Sequence, residues 1–412
     1  MTKSICLLIG LSLVWTANAE VKNNKVWTLE SSVKRLIEEN EIVKSFSDSA
    51  KSTKELINSS RLPNPEIEIG VTNAFKVQAG QSGYEYNAIS ISQRFPIAEL
   101  IYGKDLDSVV YKKTLSDKDD LVLKLKLNFS LLFREFQYKK GLLELTNNEL
   151  SLLNKQVSGK KQKLVRFQSP LDKTKMQLII NDVLINKKKI EEEIHELEAR
   201  IKTYLKLNEQ DEFEVASIGK LQSIDYDLTN APEHPTINSL SAEKLSVEKQ
   251  ISRERAKRFG EIEITAFNER EFIFNKPTDT NGAMIKFSIP LWDWKGSQVN
   301  SLNYKKSEIN YKLISAKRTY QNERKTIYRH YKHQLALQKL ILKTQIPKAK
   351  TFLDKTIKSY SVGQTSILSL IDAYKEYFGA KRGFLELVHT GWGEYEELRY
   401  LTNNFQNMGG TK

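Results

Sequence analysis

The segment EIEITAFNEREFIFNKPTDTNGAMIKFSIPLWDWKGSQVNSLNYKK, residues 261–306, decides the fold that the sequence predicts. Apolar and polar residues alternate over about 261–274 and again over about 282–291, which predicts two strands joined by a polar turn. Pro290 ends the second strand, and a stretch without proline then begins at Gly296. The segment therefore predicts a strand pair that leads directly into a long helix.

The first half of the chain repeats this order. Residues 66–75 (EIEIGVTNAF) correspond to 261–270, and 89–96 (ISISQRFP) to 283–290, with an offset of about 194 residues. A nearly constant offset is typical of an internal duplication. We therefore predict one structural unit that occurs twice, with the first strand pair at about 66–75 and 84–95.

A helical hairpin is predicted after each strand pair. Residues 97–157 contain no proline and would span about 90 Å as a helix. The second long helix is expected at about 296–345, with an interruption at Pro347. In the first returning helix, two apolar series recur every seven residues, which is typical of a coiled-coil seam. The series are Met176, Val183, Ile190, Leu197 and Tyr204, and Ile180, Lys187, Ile194 and Ile201, with Lys187 as the exception.

The N-terminus predicts export. Lys3 precedes the apolar run 5–15, and Ala17-Asn18-Ala19 supplies small residues for cleavage, which is typical of a signal peptide. The only cysteine, Cys6, lies inside this leader, so no disulfide is expected in the mature chain. The net charge of +13 could indicate a nucleic-acid partner. Export and the glutamates dispersed among the lysines favour solvated helix faces instead, so no nucleic acid is expected.

The expected organisation has five parts. These are a signal peptide (1–19), a first repeat (20–207), an irregular equatorial linker (208–235), a second repeat (236–402) and a flexible tail (403–412). Each repeat is expected to begin with helix, at about 28–60 and 236–258. The fold class is mainly α with a small β-sheet. Since no stretch reaches the ~18 apolar residues of a membrane helix, any membrane part must consist of strands.

Four strands cannot close a barrel, because an open sheet edge in lipid leaves unpaired backbone groups. Three copies would supply 12 strands, enough to leave an aqueous lumen, and the hairpins would continue the wall as a helical tunnel. The sequence therefore favours a homotrimer with a short barrel in a membrane.

Several motifs resemble those of the TolC-type outer membrane efflux proteins. At the second hairpin tip the chain reads Tyr360-Ser-Val-Gly363-Gln-Thr-Ser366-Ile-Leu-Ser369-Leu-Ile-Asp372. The segments 62–68 (LPNPEIE), 169–172 (SPLD) and 289–291 (IPL) are similar to those of the heavy-metal, CzcC-like branch. The resemblance covers nearly the whole mature chain.

The resemblance implies an outer membrane duct with its helical part in the periplasm. Its implied partners are a periplasmic adaptor protein, an inner-membrane resistance-nodulation-division pump and outer membrane lipid, and heavy-metal cations are one candidate cargo. The implied adaptor contacts at the tips are Tyr360, Gly363, Ser366, Ser169 and Pro170.

Asp372 and Asp172 are candidate gate residues. The earlier acidic position of the family's gate holds Ser369, and the first tip has Arg166-Phe167-Gln168 where a glycine is expected, which weakens an acidic gate. Tyr360 could instead pack across the hairpin. Trp292 and Trp294 suit the membrane–water interface, although packing would suit either of them equally.

No enzyme signature was found, and we expect neither a catalytic residue nor a cofactor. His330 and His333 are three residues apart on a predicted helix, but no third ligand is evident, so no metal site is expected. The alternative function is a soluble periplasmic coiled-coil adaptor or scaffold. An adaptor would have one helical hairpin between small β domains, rather than two hairpins and two strand pairs.

Overall fold

A computed structural model of the chain describes residues 26–72, 85–158, 170–224, 232–273, 276–287 and 294–404. Over these residues the chain forms eight α-helices and four strands, in an order that occurs twice. The first unit contains α1 (Leu29–Glu39), α2 (Glu41–Asn58), β1 (Glu66–Thr72), β2 (Glu85–Phe95), α3 (Ile97–Ser158) and α4 (Pro170–Leu205). The second contains α5 (Pro235–Ala256), β3 (Ile262–Ile273), β4 (Lys276–Phe287), α6 (Gly296–Leu340), α7 (Ile346–Ser361) and α8 (Ile367–Leu401). The mainly helical fold with a small sheet is confirmed.

Some expected features lie outside the described residues. They are the signal peptide 1–19, the first hairpin tip with Ser169, the strand end with Trp292, and the tail beyond residue 404.

All four strands form one antiparallel sheet in the order β1-β2-β3-β4. The two strand pairs of the repeats are joined by a continuous ladder between β2 and β3, in which Phe95 pairs with Ile262 and Glu85 with Phe272. β1 and β4 are therefore the two edges of the sheet.

The second strand of the second pair begins six residues earlier than the predicted 282. The segment 276–281 contains Pro277 and reads as a turn, but it pairs with β3 down to Ile273 opposite Lys276. Proline is tolerated there because β4 is an edge strand, where the missing N–H costs no ladder hydrogen bond. Two cross-strand pairs support the extension: Arg270 forms an ion pair with Asp279, and the Asn268 amide donates a hydrogen bond to Asn281.

The predicted first helix is divided in two at Asn40. Asn40 is extended (φ −72°, ψ 122°), and its Oδ1 accepts hydrogen bonds from the backbone N–H groups of Ile42 and Val43 at 3.0 and 3.1 Å. An asparagine that caps the next helix in this way ends the preceding one.

The first hairpin is a pair of long helices. α3 has 62 residues, a length of about 93 Å, and α4 returns along it for 36 residues. Most of the predicted seam is buried: Met176, Val183, Ile194, Leu197 and Ile201. Tyr204 at its end is 40% exposed, and its ring meets Phe129 edge-on at 6.1 Å.

The second long helix changes pitch near the predicted interruption. α6 ends at Leu340, a π-helical turn spans Ile341–Gln345, and α7 then begins with Pro347 as its second residue. A proline ring collides with the carbonyl four residues before it, and a wider turn relieves that contact. The helix axis therefore continues past the proline instead of breaking.

The irregular segment after α4 packs against the helices. Phe213, Val215 and Leu221 are buried, and the backbone of Leu221 exchanges two hydrogen bonds with the Gln338 amide, at 2.8 and 3.0 Å. The Tyr331 hydroxyl donates to the Gln222 carbonyl at 2.6 Å. These contacts tie the segment to α6.

Candidate functional site: the helical hairpin tip

The described helix ends next to the two predicted hairpin tips lie far from the sheet. α3 leaves the sheet at Phe95 and runs about 93 Å before it ends at Ser158. At this far end one apolar core holds both hairpins together. Its members come from α3, α4, α7 and α8 and include Leu153, Met176, Leu353, Leu370 and Phe378. The described ends of the two hairpins, next to the predicted tips, are therefore packed together.

Gly363 makes the turn of the second tip. Its φ is 79°, a backbone conformation that favours glycine. Its N–H donates to the Tyr360 carbonyl at 3.0 Å, and the Gln364 N–H donates to the Ser359 carbonyl at 2.9 Å. This pair of hydrogen bonds is the Schellman motif, which satisfies the last carbonyls of α7.

Tyr360 lies inside the site, because only 1% of it is exposed. Its hydroxyl donates a hydrogen bond to Asp172 Oδ2 at 3.1 Å, across 188 residues of sequence. Of the two roles considered for Tyr360, the geometry matches packing across the hairpins. A buried ring offers no surface to another protein, so any effect of Tyr360 on a partner must act through the shape of the tip.

Ser366 begins the return helix. Its hydroxyl accepts a hydrogen bond from the Ser369 N–H at 3.3 Å and lies 3.2 Å from the Ser369 hydroxyl. Ser366 is thus the N-cap of α8, a role that serine fills well. Pro170, the first residue of α4, is exposed at the same end of the molecule.

The two candidate gate residues have different surroundings. Asp172 is half-buried and holds the Tyr360 hydroxyl, whereas Asp372 is exposed on α8. Leu368, one turn before Asp372, is 57% exposed. Asp172 therefore holds the Tyr360 side chain in place. Of the two candidate gate residues, Asp372 is the one whose carboxylate faces solvent.

At the opposite end, exposed apolar residues surround the base of the sheet. Trp294 is 62% exposed just before α6, and Phe259 and Ile101 are also exposed. Trp294 is therefore not packed into the core of the single chain, and its position at a membrane–water interface stays a prediction.

Sequence patterns did not reveal a buried ionic group midway along the hairpins. Glu396 is fully buried on α8, and its two carboxylate oxygens meet Arg134 of α3 at 3.0 Å and Arg399 at 2.7 Å. The Arg134 guanidinium also stacks 3.9 Å from the Trp392 ring. Since Arg134 and Glu396 are 262 residues apart, no local spacing could have predicted the pair.

His234 is a second buried polar group that the sequence did not single out. It caps the N-terminus of α5, and its ring stacks on Tyr320 at 4.3 Å and meets Tyr400 edge-on at 4.8 Å. Burial lowers the pKa of His234 to about 4, although Asp120 opposes the shift.

The other histidines do not form a metal site in the described part of the chain. His330 and His333 are both exposed, and no group of three His, Asp or Glu side chains among the described residues is arranged to hold a metal ion. Within the same residues, no helix has the length and the apolar composition needed to cross a bilayer.

Comparison with known proteins supports the fold. No protein-family model matches the chain, and no curated protein matches its sequence. Its structure is similar to that of the transmembrane channel protein CusC, with a TM-score of 0.74, 13% identity, and 93% of this chain and 95% of the other covered. It is also similar to the open state of the MtrE outer membrane channel of Neisseria gonorrhoeae (TM-score 0.74, 12% identity, 93% and 91% covered). A third similar structure is the outer membrane protein VceC of Vibrio cholerae (TM-score 0.71, 11% identity, 91% and 95% covered). The chain thus has, over nearly its whole length, the fold of these TolC-like outer membrane channel proteins.

Proposed function

We propose that the chain is the outer membrane exit duct of a tripartite efflux system and works as a homotrimer. The observation that carries this proposal is the sheet, whose apolar face is the uncovered one. Ile89 and Ile91 of β2 are about half exposed, whereas Ser90 and Ser92 on the other face are less accessible. A sheet in a soluble protein normally buries its apolar face.

The uncovered apolar face extends across all four strands. The register places Ile67 beside Ile91, Ile69 beside Ile89, and Ile264 beside Ile285. The opposite face carries charged residues, with Arg94 paired to Glu66 at 3.1 Å and placed 3.6 Å from Glu263. Contact with lipid on the apolar face and with water on the charged face would give each face of the sheet a favourable environment.

The two edges of the sheet support the trimer. β1 and β4 each have one edge without a partner strand within the described chain, and such edges are costly in lipid. Three copies joined edge to edge would form a barrel of 12 strands that encloses the charged face. The hairpins, which start directly below the strands, would then surround a tunnel of about 90 Å.

The remaining assignments come from the resemblance and from the similar structures. An adaptor protein at the hairpin tips and a resistance-nodulation-division pump in the inner membrane would complete the system. The soluble adaptor or scaffold is disfavoured, because two long hairpins share one sheet with an uncovered apolar face. We do not assign heavy-metal cations on the resemblance alone.

Reconstitution tests the duct. The purified mature chain should require detergent, form a trimer, and conduct ions when inserted into planar bilayers. A water-soluble monomer without conductance would contradict the proposal. Deletion of the gene should also sensitise the cell to toxic compounds, and a panel of metal salts and organic compounds would identify the cargo.

A further inference from the structure

A row of alternating charge crosses the sheet at the end where its strands join the helices. Its members are Glu66 of β1, Arg94 of β2, Glu263 of β3 and Lys286 of β4, and we call them the charge row. Arg94 lies 3.1 Å from Glu66 and 3.6 Å from Glu263, measured between nitrogen and oxygen atoms. Lys286 Nζ lies 3.8 Å from Glu263 Oε2. Negative and positive charges therefore alternate from one edge of the sheet to the other.

The charge row lies on the concave face of the sheet. On β2 and β3, side chains of this face are buried or half-buried between Ala88 and Ser92 and between Glu263 and Glu269. Those of the apolar face are exposed over the same spans. The strands pack mainly on one another, so this difference indicates that the sheet curves toward its charged face, where side chains converge and shield one another. A barrel that closes in this direction would enclose the charge row.

The two edges of the sheet carry exposed charges of opposite sign. At the β4 edge, the side chain of Lys286 is 66% exposed, and its carboxylate partner among the described residues is Glu263, which Arg94 also engages. At the β1 edge, Glu68 follows Glu66 on the same face and is exposed. No basic side chain of the described residues lies within ion-pair distance of Glu68. Each edge could therefore accept a charge from a neighbouring sheet.

The internal duplication predicts which of these edge charges would meet. Within the chain, Gln93 of β2 pairs with Ile264 of β3, and the corresponding residues of the other repeat are Phe287 and Ile69. If β4 meets β1 of the next copy as β2 meets β3, Phe287 faces Ile69. Lys286 then faces Gly70, because the strands are antiparallel.

Glu68 would be a diagonal neighbour of Lys286, two positions from Gly70. Diagonal neighbours on one face are about 7–8 Å apart, within the reach of long side chains. The chain already contains such a diagonal pair: Glu66 is opposite Ser92, yet its carboxylate is 3.1 Å from Arg94. The longer reach of Lys286 would therefore suffice for a contact with Glu68.

We propose that Lys286 of each copy forms an ion pair with Glu68 of the next copy, so that the charge row closes into a ring. The inference rests on the proposed function, which joins three copies edge to edge. The ring lies on the inner wall of the barrel, at the end next to the helices. It also selects the register between copies, because a slip of one residue would move Lys286 to the opposite face from Glu68.

Reversal and exchange of the two charges test the ion pair. The measurement is the rate at which the purified mature trimer dissociates in detergent at a fixed raised temperature, followed on gels of unheated samples. Lys286→Glu and Glu68→Lys should each raise this rate by about tenfold, because each removes three ion pairs per trimer. The exchange variant Glu68→Lys/Lys286→Glu should return to within about threefold of the parent rate. Since Lys286→Glu also changes the contact with Glu263, this recovery reports on the neighbouring copy, and the single variant does not.

A matched control makes the same exchange of charge with a distant lysine of β4. Lys276 is exposed at the other end of this strand and lies on the same face. Glu68→Lys/Lys276→Glu should dissociate as fast as Glu68→Lys alone. Equal rates for the exchange variant and this control would overturn the proposal, and so would a parent-like rate for Lys286→Glu. If a single variant forms no trimer, recovery of the trimer in the exchange variant supports the ion pair and its absence contradicts it. A parent chain that forms no trimer would instead contradict the proposed function.

Discussion

Gly363 shows how a single residue shapes the tip. Alanine at this position would have to adopt φ 79°, which costs an L-residue about 1–2 kcal/mol. We therefore expect Gly363→Ala to lower the free energy of unfolding by about that amount, measured by thermal melting of the purified protein in detergent.

Gly379 is the matched control for this substitution. It lies within α8, and a Cβ built there would meet nothing within 4 Å. Gly379→Ala should stabilise the helix by up to about 1 kcal/mol. Equal effects of the two substitutions would show that the positive φ of the turn carries no energetic cost.

His234 predicts a dependence of stability on pH. Its pKa is about 4 in the folded chain, because of burial, against about 6.5 when unfolded. Asp120 opposes this shift, and Arg324 and Lys124 support it. Between pH 6.5 and 4 the unfolded state binds more protons at this site. The stabilisation is therefore complete above pH 6.5 and is lost as the pH falls toward 4.

We expect protonation of His234 in the unfolded state to lower the free energy of unfolding by about 2 kcal/mol between pH 7 and pH 5. His234→Asn eliminates the titration and keeps a side chain that can cap α5. Thermal melting of the parent protein and the variant at pH 7 and pH 5 measures how much stability each loses on acidification. The contributions of other titrating groups cancel in the difference between the two losses. If both proteins lose the same stability on acidification, the buried neutral histidine is not the cause.

At the scale of elements, the upper part of the sheet breaks the apolar pattern. Above the Ala266–Ala283 pair, the face that carries the isoleucines of β3 and β4 continues with Asn268 opposite Asn281 and Arg270 opposite Asp279. Below it, the exposed apolar residues continue past the strands to Phe259 and Ile101. On β3 and β4, both observations place the hydrocarbon low on the strands, near the helices, whereas on β2 an isoleucine, Ile89, lies opposite Asn268.

Quenching by lipids brominated in their acyl chains tests this placement. Single cysteines that replace Ile264, Asn268 or Thr265, in a chain in which Cys6 is serine, would carry a fluorophore. We expect strong quenching at position 264 and weak quenching at 268. Position 265, whose side chain lies on the opposite face, is the control. Equal quenching at 264 and 268 would mean that hydrocarbon also covers the polar pairs.

The sequence predicts long elements better than their boundaries. The heptad series of α4 predicts a helix of five turns or more, because every apolar residue in the series independently supports the same helical period. The break between α1 and α2 depends on one capping side chain, that of Asn40. The start of β4 depends on pairing with β3, which outweighs the turn preference of residues 276–281. At the tip, the Tyr360–Gly363 spacing indicates a turn, but the bond from Tyr360 to Asp172 depends on how two distant hairpins pack.

At the scale of the whole molecule, the duplication predicts how copies would join. Within the chain, Phe95 of β2 pairs with Ile262 of β3, which connects the first repeat to the second. In the aligned repeats, Phe95-Pro96 corresponds to Ile289-Pro290, and Ile262 corresponds to Ile67. If the second repeat meets the first repeat of the next copy in the same way, position 289 faces position 67. Phe287 then lies opposite Ile69, and both are exposed apolar residues of the same face.

This register can be tested by disulfide formation between copies. Directly opposed residues of antiparallel strands have Cα atoms about 4.5–5.5 Å apart, a distance that a disulfide bridges. Phe287→Cys combined with Ile69→Cys should therefore give a covalent trimer on a non-reducing gel, because each copy is joined to two neighbours and the ring closes at three. Phe287→Cys combined with Gly70→Cys places the thiols on opposite faces and should give monomers. Bands larger than three copies would indicate that the sheets join in an open array instead of a closed ring. Crosslinking of the Phe287→Cys/Gly70→Cys variant alone would mean that the true register differs by one residue, which would turn the apolar face of one strand inward.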